Sequence, residues 1–184
     1  MKSKALVIVA HPHLKQSVAN KRIIESLKDM EHVTIHNLYD NYPYFHIDVK
    51  KEQNLLRAHN LIVFQHPFLW YSMPALLKLW VDEVLTSGFA YGPNGDELKS
   101  KMFQLSITAG GDIDTYQDQG THRHSVDQFL TGYKQICHFC QMRWLEPLVL
   151  YGSRRSESEH LVNHINEIKN AIQVQLTGPT YAPR

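Results

Sequence analysis

The sequence is poor in cysteine, lacks long hydrophobic runs and carries almost no net charge, and each shortage excludes a class of protein. Its 184 residues include only two cysteines, too few for the disulfide framework of a small secreted domain. No apolar run approaches the roughly 18 residues that cross a bilayer. The 19 Lys and Arg residues face 18 Asp and Glu residues, which excludes a strongly basic nucleic-acid-binding protein. Residues 1–4 show no signal-peptide pattern, and we expect a cytoplasmic protein.

Glycine-rich nucleotide motifs and metal motifs are also missing. The sequence contains no GxGxxG after its first strand and no GxxxxGK[ST], which argues against a dinucleotide-binding Rossmann domain and a P-loop NTPase. Cys137 and Cys140 form a CxxC without a second cysteine pair, so we interpret them as small core residues. The 12 histidines are scattered and form no HExxH, and we expect no metal site.

Short apolar runs alternate with longer segments of helical periodicity. The runs predict strands over residues 4–10, 33–38, 61–65, 102–108 and 148–151. The periodic segments predict helices over residues 17–30, 50–59, 74–85, 124–140 and 156–175. This alternation predicts one α/β domain over residues 1–176, with a doubly wound, five-stranded parallel sheet, and a frayed tail over 177–184.

Ligands of such folds bind beyond the carboxyl ends of the strands, so the loops at residues 11–16, 66–73 and 109–123 are of most interest. After the first of these loops, a helix begins at Ser17 with the sequence SVAN. Its free N–H groups, hydroxyl and positive dipole end suit a phosphate monoester. The alternative, that Ser17 only caps the helix, stays open.

The second loop holds Phe68, Trp70 and Tyr71, more large apolar groups than a loop exposes without a purpose. These side chains could flank a planar ring, plug the core or form a dimer contact. The fourth strand ends at Gly110 and Gly111, which permit close approach to a flat ligand or simply form a turn.

The third loop carries Tyr116 and His122, a hydrogen-bond donor and a titratable group suited to stabilising charge. On composition alone this signal is weak.

Together these segments resemble the flavodoxin-like NAD(P)H dehydrogenases (quinone), the DT-diaphorase family, over nearly the whole chain. Within that family the sequence is similar to the cytoplasmic ancillary subunits of bacterial glutathione-gated potassium efflux systems, the Kef type. The matching segments are AHPHLKQSVANKR (10–22), LYDNYPYFHID (38–48), FQHPFLWYSMPALLKLWVDEV (64–84), GFAYG (88–92) and SITAGGDIDTYQDQGTH (106–122).

The resemblance implies that residues 1–176 form a flavodoxin-like flavin-binding domain. It favours FMN, with FAD as the alternative, because the long C-terminal extension of the FAD-using animal enzymes is absent. The implied contacts to the phosphate and ribityl end are His11, Ser17, Val18, Ala19 and Asn20. Those to the isoalloxazine are Phe68, Leu69, Trp70, Tyr71, Thr108, Ala109, Gly110 and Gly111. Ala109 departs from the family, which commonly has a second Thr there.

The catalytic residues implied by the resemblance are Tyr116 and His122, which would stabilise negative charge on the flavin as hydride arrives. The resemblance further implies two-electron, ping-pong transfer from NADH or NADPH to a quinone, in a homodimer. It also implies a potassium efflux transporter as partner, and thereby a peripheral position at the inner membrane. Two alternatives stay open: a non-catalytic, flavin-binding regulatory subunit, and an azoreductase or flavin reductase with another acceptor.

Overall fold

The computed structural model describes residues 3–155 and 159–178. In its central parallel sheet, strands β2 (Val33–Asn37), β1 (Ala5–Val9), β3 (Leu61–Pro67) and β4 (Met102–Thr108) lie side by side in that order. Two short strands, β5 (Arg143–Trp144) and β6 (Leu148–Leu150), both pair with β4 and share the last position. Strand order reverses between β1 and β3, which confirms the predicted doubly wound, flavodoxin-like α/β fold in a single domain.

Helices cover both faces of this sheet. In the described residues they are α1 (Val18–Leu27), α2 (Leu38–Asn41), α3 (Val49–Arg57), α4 (Ala75–Val84), α5 (Val126–Phe129), α6 (Thr131–Phe139) and α7 (Glu159–Thr177). The first and last, α1 and α7, share one hydrophobic cluster with the sheet, and α2 to α6 share the other. Because both faces are covered, β1 is apolar throughout and β3 is apolar as far as Phe64.

Successive residues of β1 point to opposite faces, as the pleat of a strand requires. Ala5, Val7 and Val9 pack in the cluster with α1 and α7, whereas Leu6 and Ile8 pack in the other. All five are fully buried. The strands are therefore held in place by packing on both faces, and the loops after β1, β3 and β4 start from fixed positions.

The predicted helix over residues 124–140 is wrong as a single element, because the chain forms α5 and α6 instead. Ser125 and Gln128 cap the start of α5 reciprocally. The N–H of Leu130 then donates to the carbonyls of both Val126 and Asp127, at 3.2 and 3.1 Å, which tightens the last turn and ends the helix. The strand β5 and the short helix α2 were not predicted either.

The other predicted elements are present with shifts of a few residues. The predicted start of the last helix at Ser156 lies outside the described residues, as do residues 179–184 of the predicted tail. Thr177, predicted to start that tail, is the last residue of α7. No helix within the described ranges is long and apolar enough to cross a membrane.

Cys137 and Cys140 are buried and unpaired in the core, as predicted. Burial raises the pKa of each thiol to about 11. Both side chains are therefore protonated at neutral pH, which suits packing and not nucleophilic chemistry.

Candidate functional site

A cleft of about 360 Å³ lies beyond the carboxyl ends of β3 and β4. Its lining brings together most of the residues predicted in the second and third loops, and adds one arginine: Phe68, Trp70, Tyr71, Gly110, Gly111, Tyr116, His122 and Arg154. A second, more open hollow of about 480 Å³ lies on the surface of α3 and contains none of the predicted site residues. The chemistry-bearing side chains therefore converge on the cleft.

Tyr116 and His122 form one unit at the floor of this cleft. Their rings stack with centroids 4.1 Å apart and planes inclined by 22°. Desolvation, with a smaller effect of the Tyr71 hydroxyl, raises the pKa of Tyr116, so this phenol is a hydrogen-bond donor at neutral pH. The hydroxyl of Tyr71 lies 3.3 Å from Nδ1 of His122. That contact leaves Nε2 of His122 available to a ligand.

Gly111 is needed because these two rings approach its backbone closely. A Cβ atom there would lie 2.7 Å from Oγ1 of Thr115 and 3.1 Å from Nε2 of His122. A side chain at this position would push the imidazole away from the strand end. The backbone N–H groups of Gly110 and Gly111 meet no acceptor among the described residues. The end of β4 thus presents two free donors beside Tyr116 and His122.

The aromatic wall of the cleft is a tight turn at Leu69–Ser72. The N–H of Ser72 donates to the carbonyl of Leu69 at 3.0 Å. Trp70 and Tyr71 both have left-handed backbones, with φ of +47° and +64°, which bulky residues adopt only where the surroundings enforce it. The Tyr71 ring stacks on Phe129 with centroids 4.8 Å apart. The Trp70 side chain is 92% exposed.

His66 lies beneath this turn and does not reach the cleft, since its side chain is fully buried. Burial lowers its pKa to about 4, so the imidazole is neutral. Its Nδ1 lies 2.9 Å from the carbonyl of Pro67 and must carry the proton that bonds this oxygen. Its Nε2 therefore accepts from the hydroxyl of Tyr133 at 3.3 Å. Tyr133, which the sequence did not single out, also accepts from Ser72.

At the start of α1, Ser17 caps the helix, because its Oγ accepts from the N–H of Asn20 at 3.3 Å. Asn20 itself is buried: its amide donates to Oγ1 of Thr108 at 2.9 Å and accepts from Gln65 at 2.9 Å. Asn20 and Thr108 thus tie α1 to the sheet. Ala19 and Ala109 are buried as well.

The same helix start has the donors that a phosphate group needs. The N–H groups of Val18 and Ala19 have no acceptor in residues 3–155 and 159–178, and the first turn contains no acidic residue. His11 is half-buried, and desolvation followed by the charge of His13 lowers its pKa. Its Nδ1 accepts from the N–H of His13 at 3.0 Å. The donor set fits a phosphate monoester, and the contacts predicted for it remain predictions.

Arg154 is the cleft residue that the sequence analysis missed. It follows β6, whose carboxyl end lies at the same edge of the sheet as those of β3 and β4. The loop after this last strand was not among the three selected, although the rule that selected them applies to it equally. Leu69 is the converse case, because it was predicted to contact the flavin but is not part of the cleft lining.

The parallel sheet with the strand order β2-β1-β3-β4, and a cleft beyond the carboxyl ends of its strands, are typical of a flavodoxin-like protein. A family model described as a flavodoxin-like fold matches residues 3–172. The glutathione-regulated potassium-efflux system ancillary protein KefG of Yersinia pseudotuberculosis serotype O:1b is 41% identical over 174 residues, which cover 95% of this chain and 96% of that protein. The chain therefore belongs to the family of proteins with a flavodoxin-like fold.

Solved structures agree on the fold but differ in the activity named for them. General stress protein 14 of Treponema denticola, in complex with FMN, is 31% identical with a TM-score of 0.84, over 91% of this chain and 98% of that one. An NADPH-quinone reductase of P. pentosaceus is 26% identical with a TM-score of 0.82, over 95% and 98%. A protein from Streptomycin violaceusniger described as a thermophilic tryptophan halogenase is 36% identical with a TM-score of 0.87, over 91% and 97%.

Proposed function

We propose that the chain is an FMN-dependent NAD(P)H:quinone oxidoreductase that works by two-electron, ping-pong transfer. The observation that carries this proposal is the stacked pair of Tyr116 and His122 beside two glycines with free N–H groups. The similarity to an FMN complex and to an NADPH-quinone reductase supports it. Azo compounds and free flavins remain alternatives to a quinone as the electron acceptor in this cleft.

The residues present fit FMN from one end to the other. When bound, FMN supplies two-electron transfer between NAD(P)H and a quinone. The start of α1, with Ser17 and the N–H groups of Val18 and Ala19, would hold the phosphate. Phe68, Trp70 and Tyr71 would flank the ring system, and the N–H groups of the two glycines would bond its polar edge. His11 would close the phosphate end.

Tyr116 and His122 would stabilise negative charge in a site that is organised in advance. Tyr116 keeps its proton at neutral pH because its pKa is raised, so its hydroxyl donates to an anionic acceptor. His122 is oriented by the hydroxyl of Tyr71 and by the Tyr116 ring. Donors that are fixed before charge develops need no reorganisation during the reaction.

The visible absorption spectrum of the purified protein tests this proposal. We expect flavin bands that bleach when NADPH or NADH is added without oxygen and return when a quinone is added. Chromatography of the released cofactor then decides between FMN and FAD, and the two donors compared at equal concentration decide the nucleotide preference. A colourless protein that cannot be reconstituted with either flavin would contradict the proposed function.

A second candidate function is favoured by the similarity to the KefG ancillary protein. We propose that the chain docks, as a homodimer, on a potassium efflux transporter, and so lies in the cytoplasm at the periphery of the inner membrane. The exposed aromatic side chains of Tyr44 (82%) and Trp70 (92%) supply apolar surface for such contacts. Potassium-flux assays separate this function from turnover: a folded variant that cannot reduce quinone still activates efflux if the role is regulatory.

A further inference from the structure

Of the residues that line the cleft, within the part of the chain described, Arg154 alone carries a permanent charge. Its guanidinium lies at the backbone of Gly110: Nε is 3.3 Å, and Cζ and Nη2 are 3.8 Å, from the position of a Cβ atom there. At the next residue, Nε2 of His122 is 3.1 Å from the corresponding position of Gly111. The guanidinium of Arg154 therefore lies at Gly110, and the imidazole of His122 lies at Gly111.

This arginine forms no ion pair with the loop that follows the glycines, which carries Asp112, Asp114 and Asp118. Arg155 forms an ion pair with Asp112, the first carboxylate after Gly111. In the described ranges no carboxylate pairs with Arg154. Arg154 therefore brings to the cleft a positive charge that no carboxylate of residues 3–155 and 159–178 pairs with.

The neighbouring donors are unsatisfied in the same way. The N–H groups of Gly110 and Gly111 and the hydroxyl of Tyr116 have no acceptor among the described residues. Backbone and side-chain donors that converge without an acceptor form a site for negative charge. Arg154 extends the unit of Tyr116 and His122 with a charge that does not depend on pH.

We propose that Arg154 stabilises the negative charge that the bound flavin gains on reduction, and thereby raises its midpoint potential. The inference rests on the proposed function. Hydride from NAD(P)H brings two electrons and one proton, so the ring system gains one unit of negative charge. Arg154 lies at the glycine next to the one that Tyr116 and His122 contact, and so at the reacting end of the cleft. The phosphates of the nicotinamide nucleotide lie several bonds away from its reacting ring, which favours the flavin as the group that Arg154 serves.

The midpoint potential of the flavin-loaded protein tests this assignment, measured by anaerobic equilibration with a reference dye. We expect Arg154→Gln to lower the potential by about 30 mV or more, which corresponds to a tenfold loss in the preference for reduced over oxidised flavin. Arg154→Lys keeps the charge and should restore most of the potential. Lys99→Gln removes the same charge from an exposed loop before β4, at the opposite edge of the sheet, and should leave the potential unchanged.

Three results would overturn the assignment. An unchanged potential in Arg154→Gln together with a raised KM for NADPH would mean that Arg154 binds the nucleotide and does not stabilise the reduced flavin. An unchanged potential and an unchanged KM would leave it without a role in the cleft; in both cases the proposed function stands. A wild-type protein that retains no flavin would remove the proposed function and this inference together.

Discussion

At the scale of single residues, Tyr133 connects the core to the aromatic turn. Its ring stacks on His66 with planes inclined by 12°, and its hydroxyl donates to that imidazole while accepting from Ser72. Burial raises the pKa of this hydroxyl, so it stays protonated and the direction of the bonds is fixed. The turn that forms the cleft wall is thus held from below by a buried donor and acceptor chain.

We predict that Tyr133→Phe lowers the free energy of unfolding by about 1–3 kcal/mol, because Nε2 of His66 loses its donor inside the core. Urea titrations of the variant and the wild type give this difference. Tyr44→Phe is the matched control: its hydroxyl belongs to a side chain that is 82% exposed, so its removal should cost less than about 0.5 kcal/mol. Equal, small losses in the two variants would contradict the role of Tyr133.

At the scale of elements, the turn at Leu69–Ser72 has a backbone that its own residues disfavour. Trp70 adopts φ of +47° although its side chain is almost fully exposed and gains little from packing. A bulky residue in the left-handed region costs of order 1 kcal/mol. The turn therefore carries strain at a position that faces the cleft. Strained backbones cluster at ligand-binding sites, so we expect the indole ring to contact a ligand.

Trp70→Gly should leave the free energy of unfolding within about 0.5 kcal/mol of the wild type. The relief of backbone strain is offset by the larger conformational entropy that glycine has in the unfolded chain, and little packing is lost. Trp70→Val should lower it by about 1–2 kcal/mol, because a β-branched residue fits the same backbone worst. Both variants should bind FMN more weakly in fluorescence titrations. If glycine destabilises the protein as much as valine does, the backbone at residue 70 is not strained.

Some of the strands and helices could be predicted from the sequence, and others could not. The buried strands β1 and β3 were predictable because a strand covered on both faces is a continuous apolar run. The break between α5 and α6 was not, because Leu130 is an ordinary helix former and its stop depends on which carbonyls its N–H meets. Glu52 lies in the strongly charged segment of α3 but is fully buried. Its carboxylate is hydrogen-bonded to the side chains of His36, Tyr42 and Trp80. These partners are distant in sequence, so composition alone assigns Glu52 to the surface.

The residues of the site were also predictable only in part. Phe68, Trp70, Tyr71, Tyr116 and His122 lie on loops that the strand-end rule selects, and the structure brings them into one cleft. Their roles toward a flavin stay predictions. Arg154 could have been selected by the same rule, because the strand before it was predicted at residues 148–151. Tyr133 could not, because it acts from the core through a hydrogen bond.

At the scale of the whole molecule, stability should depend on pH through groups that the fold keeps neutral. The pKa of His66 is about 4 in the folded chain against an ordinary value of 6.5, because burial disfavours its charged form. Between these values the unfolded chain binds more protons than the folded one. Stability is therefore complete above pH 6.5, falls as the pH drops towards 4, and loses nothing further from this group below that.

We expect the contribution of His66 to that loss to reach about 3 kcal/mol, from a pKa difference of two to three units. Urea titrations of the wild type and of His66→Gln at pH 7, 5.5 and 4.5 isolate it, because every other titrating group is common to the two proteins. The loss from pH 7 to 4.5 should be smaller in the variant. An identical loss would mean that His66 is protonated inside the fold.

In the proposed function, the unit of Tyr116 and His122 in this cleft stabilises charge during reduction by NAD(P)H. Stopped-flow absorbance of flavin bleaching, in the wild type and in the double variant Tyr116→Phe/His122→Gln, tests it most directly. We predict that the double variant still binds FMN but is reduced about 10²–10³-fold more slowly, the usual effect of removing fixed donors from a developing charge. Equal reduction rates in two proteins that bind FMN equally well would contradict the claim.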